Sequence, residues 1–126
     1  MSRKTILISS YSAAIHASFG HVTREIFKRI YQTGKYNIVQ HGWFHIDTAE
    51  QVPWKIIPTD MRASKEGKQE FSADDKFGEQ SFARVIRDIK PDVVWILADF
   101  YMIKHCFDVK REYQTTPFIL HVSPSL

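Results

Sequence analysis

The most constraining feature of this chain is the run from Asp92 to Ala98, which is apolar at every position after its first residue. Pro91 precedes the run, and a proline there marks the end of a preceding helix. A half-buried strand alternates apolar and polar residues, whereas a continuous apolar run is typical of a parallel strand buried on both faces. Such a strand needs neighbours on either side and helices above and below. The sequence therefore predicts an α/β protein built on a parallel sheet.

Other segments alternate between strand-like and helix-like patterns. Short apolar runs with β-branched residues predict strands, and apolar residues three or four positions apart predict amphipathic helices. The predicted strands are Thr5–Ser9, Tyr36–Gln40, Trp54–Ile57, Asp92–Ala98 and Pro117–Val122, and the predicted helices are His21–Thr33, Phe77–Lys90 and Met102–Tyr113. Residues 60–75 have few apolar anchors, so we expect a solvated, mobile loop there.

The order of these elements, β-α-β-β-α-β-α-β, sets the expected architecture. Strands joined through helices form right-handed crossovers and a parallel sheet that is covered on both faces. We therefore expect a three-layer, Rossmann-like α/β sandwich with strand order 3-2-1-4-5. A chain of 126 residues is long enough for one such domain and too short for two.

Composition narrows the class of protein further. Hydrophobic residues make up 44% of the chain and charged residues 25%, which is typical of a folded globular domain. The single cysteine, Cys106, excludes an internal disulfide and suits a reducing compartment, so we expect a cytoplasmic protein. No apolar run approaches the ~20 residues of a membrane span. The net charge of +3 is small and scattered, so nucleic acid is not expected as a partner.

The carboxyl edge of the predicted sheet is where a ligand is expected. In an open parallel sheet, ligands bind beyond the carboxyl ends of the strands, where the strand order reverses. The loop after Ser9 leads into a helix whose first N–H groups and dipole favour an anion such as phosphate, although its single Gly20 equally suits an ordinary turn. Asp99 follows the buried strand directly, where it either binds a ligand hydroxyl or caps the next helix. His121 near the end of the last strand either meets the same ligand or is structural.

Several familiar sites are not predicted. The first loop has one glycine, so it lacks a dinucleotide fingerprint, and the chain has no G-x-x-x-x-G-K-[ST] motif. His41 and His45 are four residues apart, but the Gly42 between them argues against the helix that would place both on one face. Cys106 has no evident activating group. We expect no cofactor and no metal ion, and we assign no catalytic residue.

Four segments resemble one family of enzymes. They are Ser18–Glu25, Phe77–Phe82, Ile89–Trp95 and Asp99–Ile103. In this order they are similar to the N-terminal domain of retaining, family 4-type glycosyltransferases of the GT-B fold, as found in bacteria and phages. The resemblance spans nearly the whole chain. It implies a hexosyltransferase with two domains, which transfers a sugar from a nucleotide-diphosphate sugar to an acceptor.

The resemblance also implies roles for individual residues. The donor diphosphate would approach Ser18, Phe19, Gly20 and His21. The acceptor or the transferred sugar would be bound by Asp99, Tyr101 and His121. Because most nucleotide contacts in this family come from a C-terminal domain, the 126 residues would be a truncated acceptor-side half that is inactive alone. The alternative is a stand-alone, flavodoxin-like module that binds an anion or a partner through the same loops without catalysis.

Overall fold

A computed structural model of the chain describes residues 3–13, 18–45, 52–63, 67 and 69–123. The strands and α-helices within these residues follow one another along the chain. They are β1 (Lys4–Tyr11), α1 (Ser18–Gln32), β2 (Tyr36–Trp43), β3 (Lys55–Pro58), β4 (Met61–Ala63), β5 (Gln69–Phe71), α2 (Phe82–Ile89), β6 (Val93–Asp99), α3 (Lys104–Lys110) and β7 (Phe118–Ser123). A short 3-10 helix, Phe100–Met102, separates β6 from α3.

Five of the strands form one parallel sheet in the order β3-β2-β1-β6-β7. The central strand, β1, pairs with β2 over its whole length, and Tyr11 at its end lies opposite Trp43. On its other side β1 pairs with β6, with Ser9 opposite Ile96. The strand order therefore reverses between β1 and β6. The predicted Rossmann-like parallel sheet is confirmed.

The predicted strand order 3-2-1-4-5 is wrong in chain numbering, because the observed order is 3-2-1-6-7. The difference comes from β4 and β5, which pair antiparallel with Met61 opposite Phe71 and form a separate two-stranded sheet. Both strands lie in the segment 60–75, which the sequence predicted to be a loop. Strands of three residues are too short to produce a detectable alternation of apolar and polar positions.

The parallel sheet buries a separate core on each face. The face covered by α1 holds Ile8, Phe27, Ile38 and Trp54. The opposite face holds a larger core with residues from α2 and α3, including Phe82, Val85, Ile86 and Cys106. Along β6, Val94 and Ile96 face the larger core, whereas the ring of Trp95 meets Phe27 of α1 with the centroids 4.8 Å apart. The apolar run of β6 is therefore packed on both faces of the sheet.

The three helices begin at other residues than predicted. Helix α1 begins at Ser18, three residues before the predicted start. Helix α2 begins at Phe82 and not at Phe77, because residues 77–81 form turns. The 3-10 helix delays the start of α3 to Lys104. At its end α2 agrees with the sequence, since Lys90 adopts a left-handed conformation with a φ of 53° directly before Pro91.

A buried glutamine joins the ends of β1 and β2. Gln40 is fully buried, and its side-chain amide makes four hydrogen bonds. Its Nε2 donates to the Ser10 hydroxyl at 3.2 Å and the Tyr11 carbonyl at 2.9 Å, and its Oε1 accepts from the Ala13 N–H at 3.3 Å and the Trp54 indole N–H at 3.2 Å. Every donor and acceptor position of the amide is thus filled. Gln40 thereby fixes the path of the chain as it leaves β1.

We expect Gln40→Leu to destabilise the fold, because the change leaves buried polar partners of the amide unsatisfied. Each such group costs about 1–3 kcal/mol, so the free energy of unfolding should fall by at least about 2 kcal/mol in a urea titration. The matched control is Asn37→Leu, an apolar substitution at an exposed position of the same strand, which should change stability by less than about 0.5 kcal/mol. Equal stability of the two variants would show that the hydrogen bonds of the Gln40 amide do not stabilise the ends of β1 and β2.

Candidate functional site

The loops that follow β1 and β6 meet where the strand order reverses. We call this place the switch-point crevice and define it by Tyr11, Asp99 and Tyr101. Tyr11 ends β1, Asp99 ends β6, and Tyr101 lies in the 3-10 helix that follows. Burial raises the pKa of Tyr11, and the nearby Tyr101 and Asp99 raise it further. The Tyr11 phenol therefore keeps its proton at neutral pH and is a hydrogen-bond donor beside an acceptor carboxylate.

Aromatic rings build the walls of the switch-point crevice. The ring of Tyr11 stacks on Phe44, with centroids 5.4 Å apart and planes 15° apart, and its edge meets Trp43 at 5.8 Å. Phe77 lies edge-on to Tyr11 at 6.5 Å and to Tyr101 at 6.2 Å. Tyr101 is 65% exposed, so its ring is open to solvent. An exposed ring beside a carboxylate suits a ligand that has both an apolar face and hydroxyl groups.

The backbone of Phe44 is strained at this place. Its φ of 56° lies in the left-handed region, which costs a bulky residue about 1–3 kcal/mol. The stack on Tyr11 and an edge contact with Phe71 of β5, 5.1 Å between centroids, hold the ring in position. Strain of this kind concentrates at functional sites, where the surrounding packing over-determines it. The strained residue here directly supports the ring of Tyr11.

A groove of about 440 Å³ opens beside the switch-point crevice, and we call it the side groove. One wall comes from the loop before α2, and the other from the 3-10 helix and α3. The lining residues are Lys76, Phe77, Glu79, Tyr101, Met102, Lys104, His105 and Asp108. Phe77 and Tyr101 also contact the switch-point crevice, so the two spaces share the rings of these residues.

A buried carboxylate holds the wall of the side groove that carries Phe77. Asp75 is 1% exposed, and its carboxylate accepts the backbone N–H groups of Asp60, Gln80 and Ser81, each at 2.7 Å. Burial alone would raise the pKa of Asp75, but the hydrogen bonds from the Ser81 hydroxyl and these three N–H groups hold it below its ordinary value. Asp75 therefore remains charged inside the fold and fixes the turns between β5 and α2.

Asp75, Ser81 and His41 have the composition of a catalytic triad but not its connectivity. The Ser81 hydroxyl lies 2.7 Å from His41 Nε2 and also bonds to Asp75, so the serine stands between the other two. In a hydrolase triad the carboxylate orients the histidine, and the histidine takes the proton of the serine. All three side chains are at most 1% exposed, so no substrate reaches the hydroxyl. This arrangement is structural.

His41 is neutral in this network. Since the Ser81 hydroxyl donates to Asp75, it accepts from His41 Nε2–H, which leaves Nδ1 unprotonated. Burial lowers the pKa of His41 to about 4. Gly78, with a φ of 78°, packs directly on the ring, and a side chain at that position would collide with it. The neutral ring of His41 thus packs against Gly78, beneath the turns that carry Phe77.

The four residues predicted to meet the donor lie at the start of α1. The side chains of Ser18 and Phe19 lie outside the described part of the structure, whereas Gly20 is buried and His21 is exposed. His21 Nδ1 is 3.0 Å from the guanidinium of Arg24, which also donates to the Ala13 carbonyl at 3.2 Å. The start of α1 is thereby tied to the chain that leaves β1.

The residues predicted to bind the acceptor or the transferred sugar do not all lie in the switch-point crevice. Asp99 and Tyr101 both lie in the switch-point crevice, beside Tyr11. His121 is opposite Leu97 in the sheet, two residues short of the pair formed by Asp99 and Ser123. It is exposed, and its ring meets Trp95 edge-on at 6.1 Å. His121 therefore lies one strand away from the crevice and set back from the edge of the sheet.

Two residues of this site were missed in the sequence. Tyr11 was placed in the loop after the first strand, although an aromatic residue just beyond an apolar run at the carboxyl edge was a usable signal. Phe77 was placed on the apolar face of a helix, and only the contact with Asp75 shows that a turn precedes α2. Both residues acquire their position through distant partners, which sequence spacing does not reveal.

The described part of the chain contains no group of three His, Cys, Asp or Glu side chains that could hold a metal ion. His45 Nδ1 is 2.8 Å from the Ser12 hydroxyl, and His41 bonds Ser81, so these two histidines serve separate contacts. Cys106 is buried, and burial raises the pKa of its thiol, which makes it a poor nucleophile. None of the helices described is long and apolar enough to cross a membrane.

No protein-family model matches this chain, and no curated protein matches it. The candidate site is therefore defined by its geometry, namely the switch-point crevice and the side groove beside it.

We expect Asp75→Ala to lower the free energy of unfolding by at least about 3 kcal/mol, because three backbone donors lose a charged acceptor. The control is Asp74→Ala, the exposed neighbour, which should change it by less than about 0.5 kcal/mol. The stabilisation by Asp75 should be fully present above its ordinary pKa of 3.8 and be lost as the pH falls through its lower folded value. Denaturant titrations of both variants at several pH values test this, and a pH-independent difference would contradict it.

We expect the stability of the wild type to fall between pH 6.5 and about 4, the ordinary and the folded pKa of His41. In that range the His41 side chain binds a proton in the unfolded chain but not in the fold, where it is buried. The resulting loss of unfolding free energy is on the order of 3 kcal/mol at most. His41→Gln should show a smaller slope of unfolding free energy against pH, while His105, whose pKa burial also lowers, retains part of it. His21→Gln, at an exposed position, is the control. A wild-type slope in His41→Gln would show that His41 does not cause this pH dependence.

Proposed function

We propose that this chain is the acceptor-side, Rossmann-like domain of a GT-B type glycosyltransferase, which transfers a sugar from a nucleotide-diphosphate sugar to an acceptor. The observation that carries the proposal is the switch-point crevice. Tyr101 offers an exposed ring to the apolar face of a sugar, and Asp99 in the same crevice can accept hydrogen bonds from the hydroxyl groups of the sugar. A polyhydroxylated ring needs this combination of groups.

The start of α1 is suited to binding the donor diphosphate. The helix is 15 residues long and has no acidic residue in its first turn, so no carboxylate of that turn neutralises the positive end of its dipole. Gly20 is buried in that turn, and the guanidinium of Arg24 adds a positive charge one turn later. In this proposal Ser18, Phe19, Gly20 and His21 meet the diphosphate, and Asp99 and Tyr101 meet the sugar.

The reaction of a GT-B enzyme takes place between two domains. One domain supplies only one wall of the cleft, so we expect the 126 residues alone to bind sugar ligands weakly and to form no product from donor and acceptor. Activity then requires a second domain that binds the nucleotide.

A second candidate function is partner binding without catalysis, and the edge strand β7 favours it. Ile119 is 52% exposed and Leu120 is 38% exposed. Because successive residues of a strand point to opposite faces, apolar surface is open on both sides of β7. In this case the flavodoxin-like sheet would bind a protein through that edge, and the crevice would have no catalytic role.

We expect Asp99→Asn to weaken the binding of a nucleotide-diphosphate sugar by roughly tenfold, because a hydrogen bond to a charged acceptor is lost. The measurement is a titration of ¹⁵N-labelled protein with UDP-glucose and GDP-mannose, followed through amide shifts of Gly20, Tyr11 and Tyr101. A thermal melt should be unchanged. Asp88→Asn, on the exposed side of α2, is the matched control and should bind like the wild type.

Two outcomes would contradict the glycosyltransferase proposal. One is the absence of amide shifts at the start of α1 and in the switch-point crevice with every nucleotide sugar. The other is steady product formation by the isolated 126 residues, which a single domain of this type should not achieve. Shifts confined to β7 upon addition of a protein partner would favour the second candidate.

A further inference from the structure

We propose that the side groove binds the acceptor, and that this acceptor is an anionic sugar whose negative group lies between Lys76 and Lys104. That this ligand is the acceptor of the reaction rests on the proposed function, whereas the affinity for an anionic sugar rests on the residues of the groove. The volume of about 440 Å³ is within the range of small-molecule sites and holds a ligand of one or two sugar rings.

The aromatic residues of the side groove form a corner. The rings of Phe77 and Tyr101 stand at 81° to each other with centroids 6.2 Å apart. Tyr101 is exposed, and Met102 lines the groove next to it. The C–H face of a sugar ring packs on such a surface and leaves its hydroxyl groups at the rim.

The carboxylates of the side groove already have partners. Glu79 Oε1 accepts the backbone N–H of Phe77 at 2.6 Å. Asp108 Oδ1 lies 3.6 Å from the guanidinium of Arg111, one turn later on the chain. Both negative charges are thus partly compensated within the protein.

The ammonium groups of the side groove lack such partners. Among the described residues, neither Lys76 nor Lys104 forms an ion pair. Lys76 Nζ lies 5.3 Å from the centroid of Phe77, so its charge stands at the aromatic corner, and Lys104 belongs to the other wall. His105 adds no charge at neutral pH, because burial lowers its pKa. The side groove therefore offers a ligand two ammonium groups that have no ion-pair partner among the described residues, one from each wall, and an anionic group of a ligand can bind between them.

The position of the groove fits an acceptor. Phe77 and Tyr101 are shared with the switch-point crevice, so a sugar that packs on Tyr101 between the lysines lies next to the crevice that holds Asp99. In this orientation the negative group anchors the ligand, and a hydroxyl group faces the place where the transferred sugar would lie.

The test is a set of amide-shift titrations with D-glucuronate, D-glucose 6-phosphate, D-glucose and inorganic phosphate. We expect both anionic sugars to bind roughly tenfold more tightly than glucose, with shifts at Phe77, Tyr101 and Lys104. Inorganic phosphate should bind more weakly than glucose 6-phosphate, since it lacks the ring. The preference for the anionic sugars should vanish near 1 M salt, where the Debye length is about 3 Å.

Variants separate the two parts of the groove. Lys104→Gln should reduce the affinity for the anionic sugars severalfold and leave glucose unchanged, while Tyr101→Ala should weaken all three sugars. Lys28→Gln, exposed on α1, is the matched control and should bind like the wild type. Both lysines are exposed, so neither change endangers the fold.

The proposal is overturned if glucose binds as tightly as the anionic sugars, if the shifts lie outside the side groove, or if no sugar binds. Its failure is distinguishable from that of the proposed function. Binding of glucuronate in the groove without any response to nucleotide sugars would support the groove proposal and contradict the glycosyltransferase proposal. A response to nucleotide sugars without binding of glucuronate in the groove would contradict the groove proposal and support the glycosyltransferase proposal.

Discussion

The pairing of β1 with β6 is the constraint on which the candidate site depends. The chain leaves β1 toward α1 on one face of the sheet, and it leaves β6 through the 3-10 helix toward α3 on the other. Since the two connections diverge, none of the helices that the structure describes covers the gap between the strand ends. Tyr11 and Asp99 are the last residues of these two strands, so topology alone places a phenol and a carboxylate at the same opening. The local chemistry follows from a global property of the sheet.

Buried polar groups give this opening its shape. Gln40 fixes the chain that leaves β1, and Asp75 fixes the turns that carry Phe77. Gln40 bonds to two backbone groups and to the side chains of Ser10 and Trp54, and Asp75 accepts three backbone N–H groups. These hydrogen bonds compensate for the cost of burying an amide or a charge. A core of apolar side chains alone would hold the strands together but would not determine the path of the loops. The two walls of the site are therefore set by directional bonds and not by packing alone.

The sequence predicts the sheet better than the site. The parallel strands could be found because a strand such as β6 is apolar on both faces, and the position of Asp99 at the carboxyl edge because it directly follows that apolar run. The hairpin of β4 and β5 and the turns before α2 depend on bonds between Asp75 and distant backbone groups, which leave no periodic signal. Tyr11 and Phe77 join the site through aromatic contacts across the fold. The binding roles of Asp99, Tyr101, His121 and the start of α1 stay predictions, because only a bound ligand would show them.

The aromatic contacts explain how the switch-point crevice can be open and yet ordered. Rings follow one another from Phe71 of β5 through Phe44 and Tyr11 to Phe77 and Tyr101. The strained backbone of Phe44 is held by its neighbours in this series, so β5 and β1 support each other through that ring. Only the last ring, Tyr101, is mostly exposed. Because the rings behind Tyr101 are already packed, a ligand that stacks on it has fewer side chains left to immobilise, and this lowers the entropic cost of binding.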